Sequence, residues 1–440
     1  MSDFDVGVTS FVVLMVLIFL RMPIGLAMLL CGLGGTAFIT GGPDVVLARL
    51  KTETYGTFSS YSLSIVPLFL LMGQFATLGG MSTALFKAAE GWLGHRKGGV
   101  AMAAVGACAG FGAICGSSLA TAATMSQAAL PELRRYGYSG GLATATLAAG
   151  GTLGILIPPS VVLVIYAILT EQNIAKLFLA AFIPGVLAAL GYMLTIAIYV
   201  RLRPGQETLR EPAPMSERIA LLMAVWPALI VFFLVVGGIY LGWFTPTEAA
   251  AIGAAGTGII AYFKGGLSRS GLVEAVLATA NSTAMIFLIV LGAGFYNAFL
   301  ALSQVPQEIS GMIVDAGLSP WLILSVILLL YLVFGCVMDS LSMILLTVPI
   351  FFPIISVLDF GLTAEETAIW FGILVLIVVE VGLITPPVGM NLFVINSMDK
   401  STPITHTYRA VLPFVLSDVV RTVILVVFPG ITLFALRWFG

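Results

Sequence analysis

The sequence has 440 residues, of which 60% are hydrophobic and only 9% are charged, and its mean hydropathy is +1.11. A soluble domain carries roughly 25% charged residues, so this composition excludes a soluble globule and indicates an all-α integral protein of the lipid bilayer. The formal net charge of −2 argues against a nucleic-acid partner, and two histidines argue against a conventional zinc or haem site. The four cysteines lie in apolar runs, where we expect them to pack rather than pair.

Ten apolar stretches are long enough to cross a membrane, since a helical span needs about 20 mostly apolar residues. They lie at about 6–20, 22–40, 61–80, 139–171, 176–200, 219–242, 246–263, 274–302, 366–397 and 408–430. The first stretch follows an acidic start without a basic region or an Ala-x-Ala site. We therefore expect a span there, not a cleaved signal peptide.

Two further apolar stretches are interrupted midway by small and polar residues. The interruptions run from Gly112 to Ser118 and from Gly335 to Ser340. Each stretch forms either two full spans or a re-entrant hairpin that enters and leaves on one side of the membrane. As hairpins they would occupy about 99–134 and 319–357.

The basic residues favour the hairpins, because Lys and Arg are retained on the cytoplasmic side. With the N-terminus outside (periplasmic) and both stretches as hairpins, fourteen of the 19 basic residues face the cytoplasm. Residues 270–399 contain no Lys or Arg, so the loops at 303–318 and 358–365 are expected outside. The polar segment 204–218 then forms a cytoplasmic linker between two halves.

The two halves carry the same landmarks at a nearly constant spacing. Pro23 recurs as Pro246 and Gly112 as Gly335, both 223 residues on, and the pair Pro158-Pro159 recurs as Pro386-Pro387, 228 residues on. We predict two repeats, 1–203 and 219–440, each with three spans, a hairpin and two further spans, one of them broken. Five crossings per repeat invert the second copy, which is typical of secondary transporters.

The hairpin turns and the two double-proline breaks free backbone groups near the membrane centre, where they can bind ions. The hydroxyls of the turn from Cys115 to Ser118 favour a binding role, whereas Gly106 and Gly110 suit helix packing equally well. Asp339 is the outstanding charge, since a carboxylate at the bilayer centre costs at least about 2.5–3.5 kcal/mol. A metal cation is its favoured partner, and protonation is the alternative.

Other polar residues have simpler interpretations. Thr245 to Glu248 forms a capping-box pattern, so Glu248 is expected to be structural. Asp418 and Arg421, three residues apart on one helix, are expected to neutralise each other. Glu380 lies one turn before the second proline break and either supports the break or binds a ligand. The amphipathic segments 81–97 and 303–317 suit helices that lie on the membrane surface.

Four motifs resemble the large membrane subunit of tripartite ATP-independent periplasmic (TRAP) transporters, the DctM or SiaM type. They run from Phe111 to Ser118, Gly151 to Ser160, Thr245 to Ala250 and Gly382 to Gly389. The resemblance covers essentially the whole chain. It implies an elevator-type secondary transporter, with scaffold and transport regions, in a bacterial or archaeal inner membrane, where sodium drives uptake of an acidic organic solute.

The same resemblance implies partners and ion sites. The partners are a small four-helix membrane subunit and a periplasmic binding protein that delivers the substrate. About two Na⁺ sites are expected. The first, at the hairpin turns, comprises Cys115, Ser118, Gly335, Val337 and Asp339. The second, at the proline breaks, comprises Thr152, Gly382, Thr385 and Val388.

The first sodium site departs from the family at Cys115, where a serine is common. A thiol is a poor sodium ligand, so this residue would contribute through its carbonyl. The substrate is expected near Ser117, Ser118, Ser160, Asp339 and Asn391.

The substrate must be held without a basic side chain, because no Lys or Arg lies in either hairpin turn or proline break. Helix dipoles, hydroxyls, the amide of Asn391 and bound cations are left to hold an anion. C4-dicarboxylates, sialic acid, other sugar acids, keto acids and sulfonates all fit. The alternative is a stand-alone sodium–dicarboxylate or anion transporter without a binding protein. The sequence shows no nucleophile–base pair, so no enzyme activity is expected.

Overall fold

Helices account for most of the computed structural model, which describes residues 2–203 and 211–439 and contains no strand within those ranges. In the first half the helices are α1 (Asp3–Phe19), α2 (Ile24–Thr40), α3 (Asp44–Phe58), α4 (Ile65–Leu78), α5 (Met81–Leu93), α6 (Gly99–Cys115), α7 (Ser118–Arg135), α8 (Gly140–Leu156), α9 (Val161–Thr170) and α10 (Ile174–Leu202).

The second half begins after the predicted linker, of which residues 204–210 lie outside the described ranges. A π-helical turn at Phe233–Gly237 joins its first two helices. The helices are α11 (Met215–Phe232), α12 (Gly238–Tyr240), α13 (Pro246–Phe263), α14 (Arg269–Leu302), α15 (Val305–Asp315), α16 (Pro320–Gly335), α17 (Ser340–Ser356), α18 (Ala364–Ile384), α19 (Met390–Met398), α20 (Ile404–Val427) and α21 (Pro429–Phe439).

Several helices in the described chain have the length and composition of membrane spans. Five qualify singly, namely α10, the continuous segment Met215–Tyr240, α14, α18 and α20. Two bent pairs qualify when each is counted as one span, α3 with α4 at a bend of 51° and α8 with α9 at 43°. The prediction of a multi-span helical membrane protein is therefore confirmed.

Fewer helices reach spanning length than the ten stretches predicted from the sequence. The stretches at 6–20 and 22–40 fold as α1 and α2, which have only 17 residues each. Pro23 precedes α2, and Gly41 ends it with a positive φ of 72°. These breaker residues shorten helices within otherwise apolar sequence.

The sequence analysis did not anticipate α3 or α21. Apart from α3, the amphipathic segments behaved as expected, because 81–97 and 303–317 contain the helices α5 and α15. No residue of α3 is fully buried, and it carries Arg49, Lys51 and Glu53, so its sequence resembles a polar loop. Glu53 nevertheless packs against Gly294 of α14, which anchors α3 to the fold.

The core is built around α8 and α18. Residues 141–156 of α8 are all buried, and the apolar window of α18 is buried throughout. Helices α6, α7, α10, α19 and α20 pack around α8, while α16, α17 and α20 pack around α18. Both core helices stop just before a double proline. This arrangement places both helix breaks inside the protein, where freed backbone groups need partners.

Three local predictions are confirmed by the structure. Glu248 accepts the Thr245 amide at 2.8 Å, and Thr245 Oγ1 accepts the Glu248 amide at 3.3 Å, which completes a capping box. Asp418 and Arg421 form a buried ion pair at 2.9 Å. The cysteines are buried and free, so they pack as small apolar side chains.

Candidate functional site

The turn between α6 and α7 lies against the first double-proline break. The chain reverses at Gly116, whose φ of +65° suits glycine. Ser117 then caps α7, because its Oγ accepts the amide of Ala120 at 3.4 Å. A Cβ added to Gly116 would lie 3.2 Å from the carbonyl oxygen of Pro159, so the turn and the break are in direct contact.

The turn between α16 and α17 meets the second break in the same way. The amide of Gly389 donates to the carbonyl oxygen of Cys336 at 3.2 Å, across from the second double proline. Asp339 begins α17 as its N-cap residue, and its carboxylate accepts the amide of Ser342 at 3.0 Å. Each turn is thus packed on the break of its own half.

Glycine pairs bring each hairpin into backbone contact with a core helix. A Cβ on Gly112 would lie 2.5 Å from the Cα of Gly154, and a Cβ on Gly382 would lie 2.5 Å from the carbonyl carbon of Gly335. Real Cβ atoms do not approach other atoms so closely, so only glycine fits at these positions. The contact between α6 and α8 therefore has a counterpart between α16 and α18.

A single carboxylate connects the two turns. Glu380 of α18 is 1% exposed, and its two oxygens accept hydrogen bonds from different hairpins. Ser118 Oγ donates to one oxygen, and Ser340 Oγ donates to the other at 2.7 Å. The sequence analysis left Glu380 undecided and did not single out a role for Ser340. Their contacts span 262 and 40 residues, a separation that local sequence patterns do not reveal.

The residues of the first predicted sodium set occupy different environments. Ser118 is buried and contacts Glu380, while the Asp339 carboxylate is half-buried and caps α17. Cys115 is buried, and its carbonyl faces Gly73 of α4, where an added Cβ would lie 3.0 Å from that oxygen. The Val337 side chain is 59% exposed, so only its backbone is available to an ion held in the protein.

The members of the second predicted set also make distinct contacts. Thr152 donates to the carbonyl of Ala149 at 2.6 Å and lies 2.9 Å from the hydroxyl of Tyr192 on α10. Tyr192 donates in turn to Asp418 at 2.7 Å, so Thr152 belongs to a buried polar network between α8, α10 and α20. Thr385 donates to the carbonyl of Val381 at 2.6 Å, close to the end of α18.

Backbone atoms dominate the rest of the second set. Gly382 touches Gly335, which belongs to the first set, so the structure brings members of the two predicted sets together. The carbonyl of Val388 lies 3.4 Å from the hydroxyl of Tyr408 on α20, which donates at 2.6 Å to the carbonyl of Pro387. The second break is therefore tied to α20.

The residues expected near substrate surround the two breaks. Ser160 is fully buried and caps α9 by accepting the amide of Leu163 at 3.4 Å. Asn391 is also fully buried, and its amide nitrogen donates to the carbonyl of Ala148 at 3.2 Å. Its Oδ1 has no hydrogen-bond partner in the described part of the chain, so one acceptor remains for a ligand. Ser117 is half-buried in the first turn.

The donor atoms around the turns suit a hard monovalent cation. They are carbonyl, hydroxyl and carboxylate oxygens, the ligand type that hard cations prefer. Two buried oxygens, Thr121 Oγ1 and Asn391 Oδ1, lack a hydrogen-bond partner in the described ranges. A search of those ranges finds no group of three or more His, Cys, Asp or Glu residues arranged for a metal. The donor set therefore fits sodium better than a transition metal.

An ion-pair cluster fixes the far end of the first hairpin. Arg134, at the end of α7, bonds to Asp399 and Ser401 and, at 3.2 Å, to Thr402, in the segment after α19. Burial acts to raise the pKa of Asp399, but the bonds from Arg134 and the two hydroxyl groups outweigh it and lower that pKa. The hairpin is thus anchored to α19 by a charged aspartate.

The fold and its buried, polar helix breaks define a multi-span membrane protein with a transporter-like core. Residues 11–431 match the family model described as "Tripartite ATP-independent periplasmic transporter, DctM component". The chain belongs to this family, which contains the large permease subunits of TRAP transporters. The family consists of transporter permeases rather than enzymes.

Individual relatives agree with this assignment. The chain is 36% identical to the C4-dicarboxylate TRAP transporter large permease protein DctM of Pseudomonas aeruginosa, over 92% of this chain and 93% of the relative. It is 31% identical to the isethionate TRAP transporter permease protein DctMQ of Oleidesulfovibrio alaskensis, over 92% of this chain and 62% of that protein. The YdaH transporter of Alcanivorax borkumensis shares the fold, with a TM-score of 0.66, 16% identity and 90% of both chains covered.

Proposed function

We propose that this permease subunit moves a small acidic organic solute into the cell together with sodium, by an elevator movement of the hairpins and broken helices. Family membership gives TRAP-type transport, and the coupling ion and the movement are the proposed parts. The observation that carries the proposal is the meeting of both hairpin turns at Glu380, next to both proline breaks. Freed backbone groups, hydroxyls and a carboxylate converge there inside the protein.

An inverted repeat is part of this proposal. Gly112 and Gly154 touch in the first half, and Gly335 and Gly382 touch in the second. These partners are separated by the same 223 and 228 residues that relate the motifs of the two halves in the sequence. Equivalent contacts at equivalent positions support two copies of one structural unit, which in transporters place the binding site between them.

Sodium and an anionic substrate would share this region. Ser118 and the backbone oxygens of the two turns would hold one sodium, while Thr385 and backbone oxygens of the second break would hold another. When bound, these ions supply positive charge to a region without Lys or Arg. Ser160, Asn391 and the helix N-termini that follow the turns would then bind and orient the carboxylate or sulfonate of the substrate.

The substrate class is proposed from the chemistry of the site and from the relatives. DctM of P. aeruginosa is named for C4-dicarboxylates and DctMQ of O. alaskensis for isethionate, and both solutes are small organic anions. We propose a solute of that kind, delivered by a periplasmic binding protein. The name DctMQ and the greater length of that relative support a small Q-type membrane subunit as the second partner. Co-purification from membranes that express both subunits tests this partner.

A sodium titration of thermal stability tests the coupling ion. A ligand that binds only the folded protein stabilises it by about 2.7 kcal/mol at a hundred times its Kd. We expect the purified protein to show a saturable rise in Tm with NaCl, but not with KCl or choline chloride. Ser118→Ala should weaken the rise. Equal behaviour in the three salts would remove sodium from the proposal, while TRAP-type transport would stand.

A further inference from the structure

We propose that Glu380 is a positioning residue that couples the two hairpin turns, so that sodium binding at the first turn depends on the second. This inference rests on the proposed sodium coupling. Glu380 accepts one hydrogen bond from Ser118 of the first turn and another from Ser340 of the second. Both serines are buried, with 1% and 5% of their surface exposed.

The position of Glu380 separates it from an ordinary helix-end residue. It lies within α18, four residues before the helix ends at Ile384. Its printed hydrogen bonds go to two other elements, the N-terminal residues of α7 and of α17, and not to the proline break that follows it. Support of the break alone would not require contacts with both hairpins.

The energetics of the site also favour a specific role. A buried ionised carboxylate loses its hydration and needs strong hydrogen bonds in exchange. Asp418 and Arg421 act on Glu380 electrostatically, but they pair with each other at 2.9 Å. The two serine hydroxyls are therefore the direct donors to this carboxylate. Loss of either one leaves Glu380 with an unsatisfied oxygen, so both turns contribute to its stability.

The coupling follows from how a hydroxyl binds two partners. A serine that donates its proton to Glu380 points its oxygen lone pairs in a fixed direction, where they can accept a cation. Ser118 belongs to the predicted sodium set, but Ser340 does not. A displacement of the second turn moves Glu380 or breaks its bond with Ser340, and Ser118 loses its fixed orientation as a result. Sodium at one turn is thereby sensitive to the position of the other.

Ser340→Ala gives the sharpest test, because Ser340 is not a predicted sodium ligand. We expect this variant to raise the half-saturating sodium concentration for uptake about tenfold, since hydrogen bonds to charged groups contribute about 1.5–3 kcal/mol. Ser340→Thr keeps the hydroxyl and should retain most of the wild-type sodium affinity. Glu366→Gln is the matched control, because Glu366 lies on the same helix in a capping box that glutamine also completes.

A double-mutant cycle then identifies Glu380 as the mediator. Glu380→Gln alone should raise the half-saturating sodium concentration, and adding Ser340→Ala to it should change that concentration less than twofold. Multiplicative effects of the two substitutions would overturn the proposal, because residues that act through one contact are not independent. Wild-type sodium affinity in Ser340→Ala would overturn it as well, and this outcome does not depend on whether Glu380→Gln folds.

Thermal stability separates coupling from a purely structural role. If Ser340→Ala lowers the Tm in choline chloride but leaves the sodium-dependent rise at its wild-type concentration, Glu380 is structural and the inference is wrong. If the wild-type protein itself shows no sodium dependence, the proposed coupling ion fails instead. The two failures are therefore distinguishable in one set of titrations.

Discussion

At the scale of single residues, Asp339 combines a helix cap with a charge. Asparagine caps helices about as well as aspartate. We therefore expect Asp339→Asn to keep α17 and the Tm close to wild type, while sodium-driven uptake is lost because the negative charge is gone. Uptake of radiolabelled substrate by proteoliposomes, with the binding protein supplied outside, measures this effect.

Asp339→Ala provides the comparison for the cap. It removes both the charge and the cap, so it should lower the stability of the protein by about 1 kcal/mol more than Asp339→Asn. Normal sodium-driven uptake by Asp339→Asn would remove the charge of this residue from the mechanism. Its observed capping bond would then be a sufficient account of the residue.

The ion pair of Asp418 and Arg421 gives a second prediction at this scale. Both side chains are buried, and Asp418 also accepts a bond from Tyr192. Asp418→Asn leaves the Arg421 charge buried without its partner, which should cost about 3–5 kcal/mol. Replacing Arg421 by Met in the same chain removes that charge and should recover part of the loss. Thermal unfolding in one detergent compares the variants, and a double variant less stable than the single one would contradict the prediction.

At the scale of elements, contacts between glycines set the distance between the hairpins and the core helices. Gly382→Ala would place a Cβ 2.5 Å from the backbone of Gly335. We expect α16 to be displaced from α18, with a fall in Tm and in transport rate. Gly34→Ala in α2 is the control, because its added Cβ meets no atom within 4 Å. Alanine there should be neutral or stabilising by roughly 0.5–1 kcal/mol, since it replaces glycine inside a helix.

The same scale shows what the sequence can predict. Apolar runs and breaker residues located the hairpin helices well, and the observed α16 and α17 fill the predicted stretch 319–357. Helix α3 escaped because its charged residues hide a helix that buries no side chain completely. The role of Glu380 escaped for another reason. Its two serine partners come from separate hairpins, and only the packing of α18 between them brings the three side chains together.

At the scale of the whole molecule, the outer surface suits lipid. Large apolar side chains are exposed along the long helices, as on α10 at Leu190, Leu194 and Ile198. Polar contacts concentrate instead around α8 and α18, where the breaks lie. In a bilayer the exposed apolar side chains need no cover from water, whereas the freed backbone groups of the breaks must be enclosed by protein. The distribution of polarity is thus inverted relative to a soluble protein.

The predicted membrane orientation follows from the odd number of crossings in each repeat. Single cysteines at Ser2, Ser216 and Asp359, all exposed positions, report the N-terminus, the start of the second repeat and the loop after the second hairpin. With an inverted repeat, a membrane-impermeant maleimide should label positions 2 and 359 in intact spheroplasts, but position 216 only after permeabilisation. The natural cysteines are buried and should give little background. Labelling of positions 2 and 216 from the same side would require an even number of crossings between them. It would therefore exclude an inverted second copy, however well the glycine contacts of the two halves correspond.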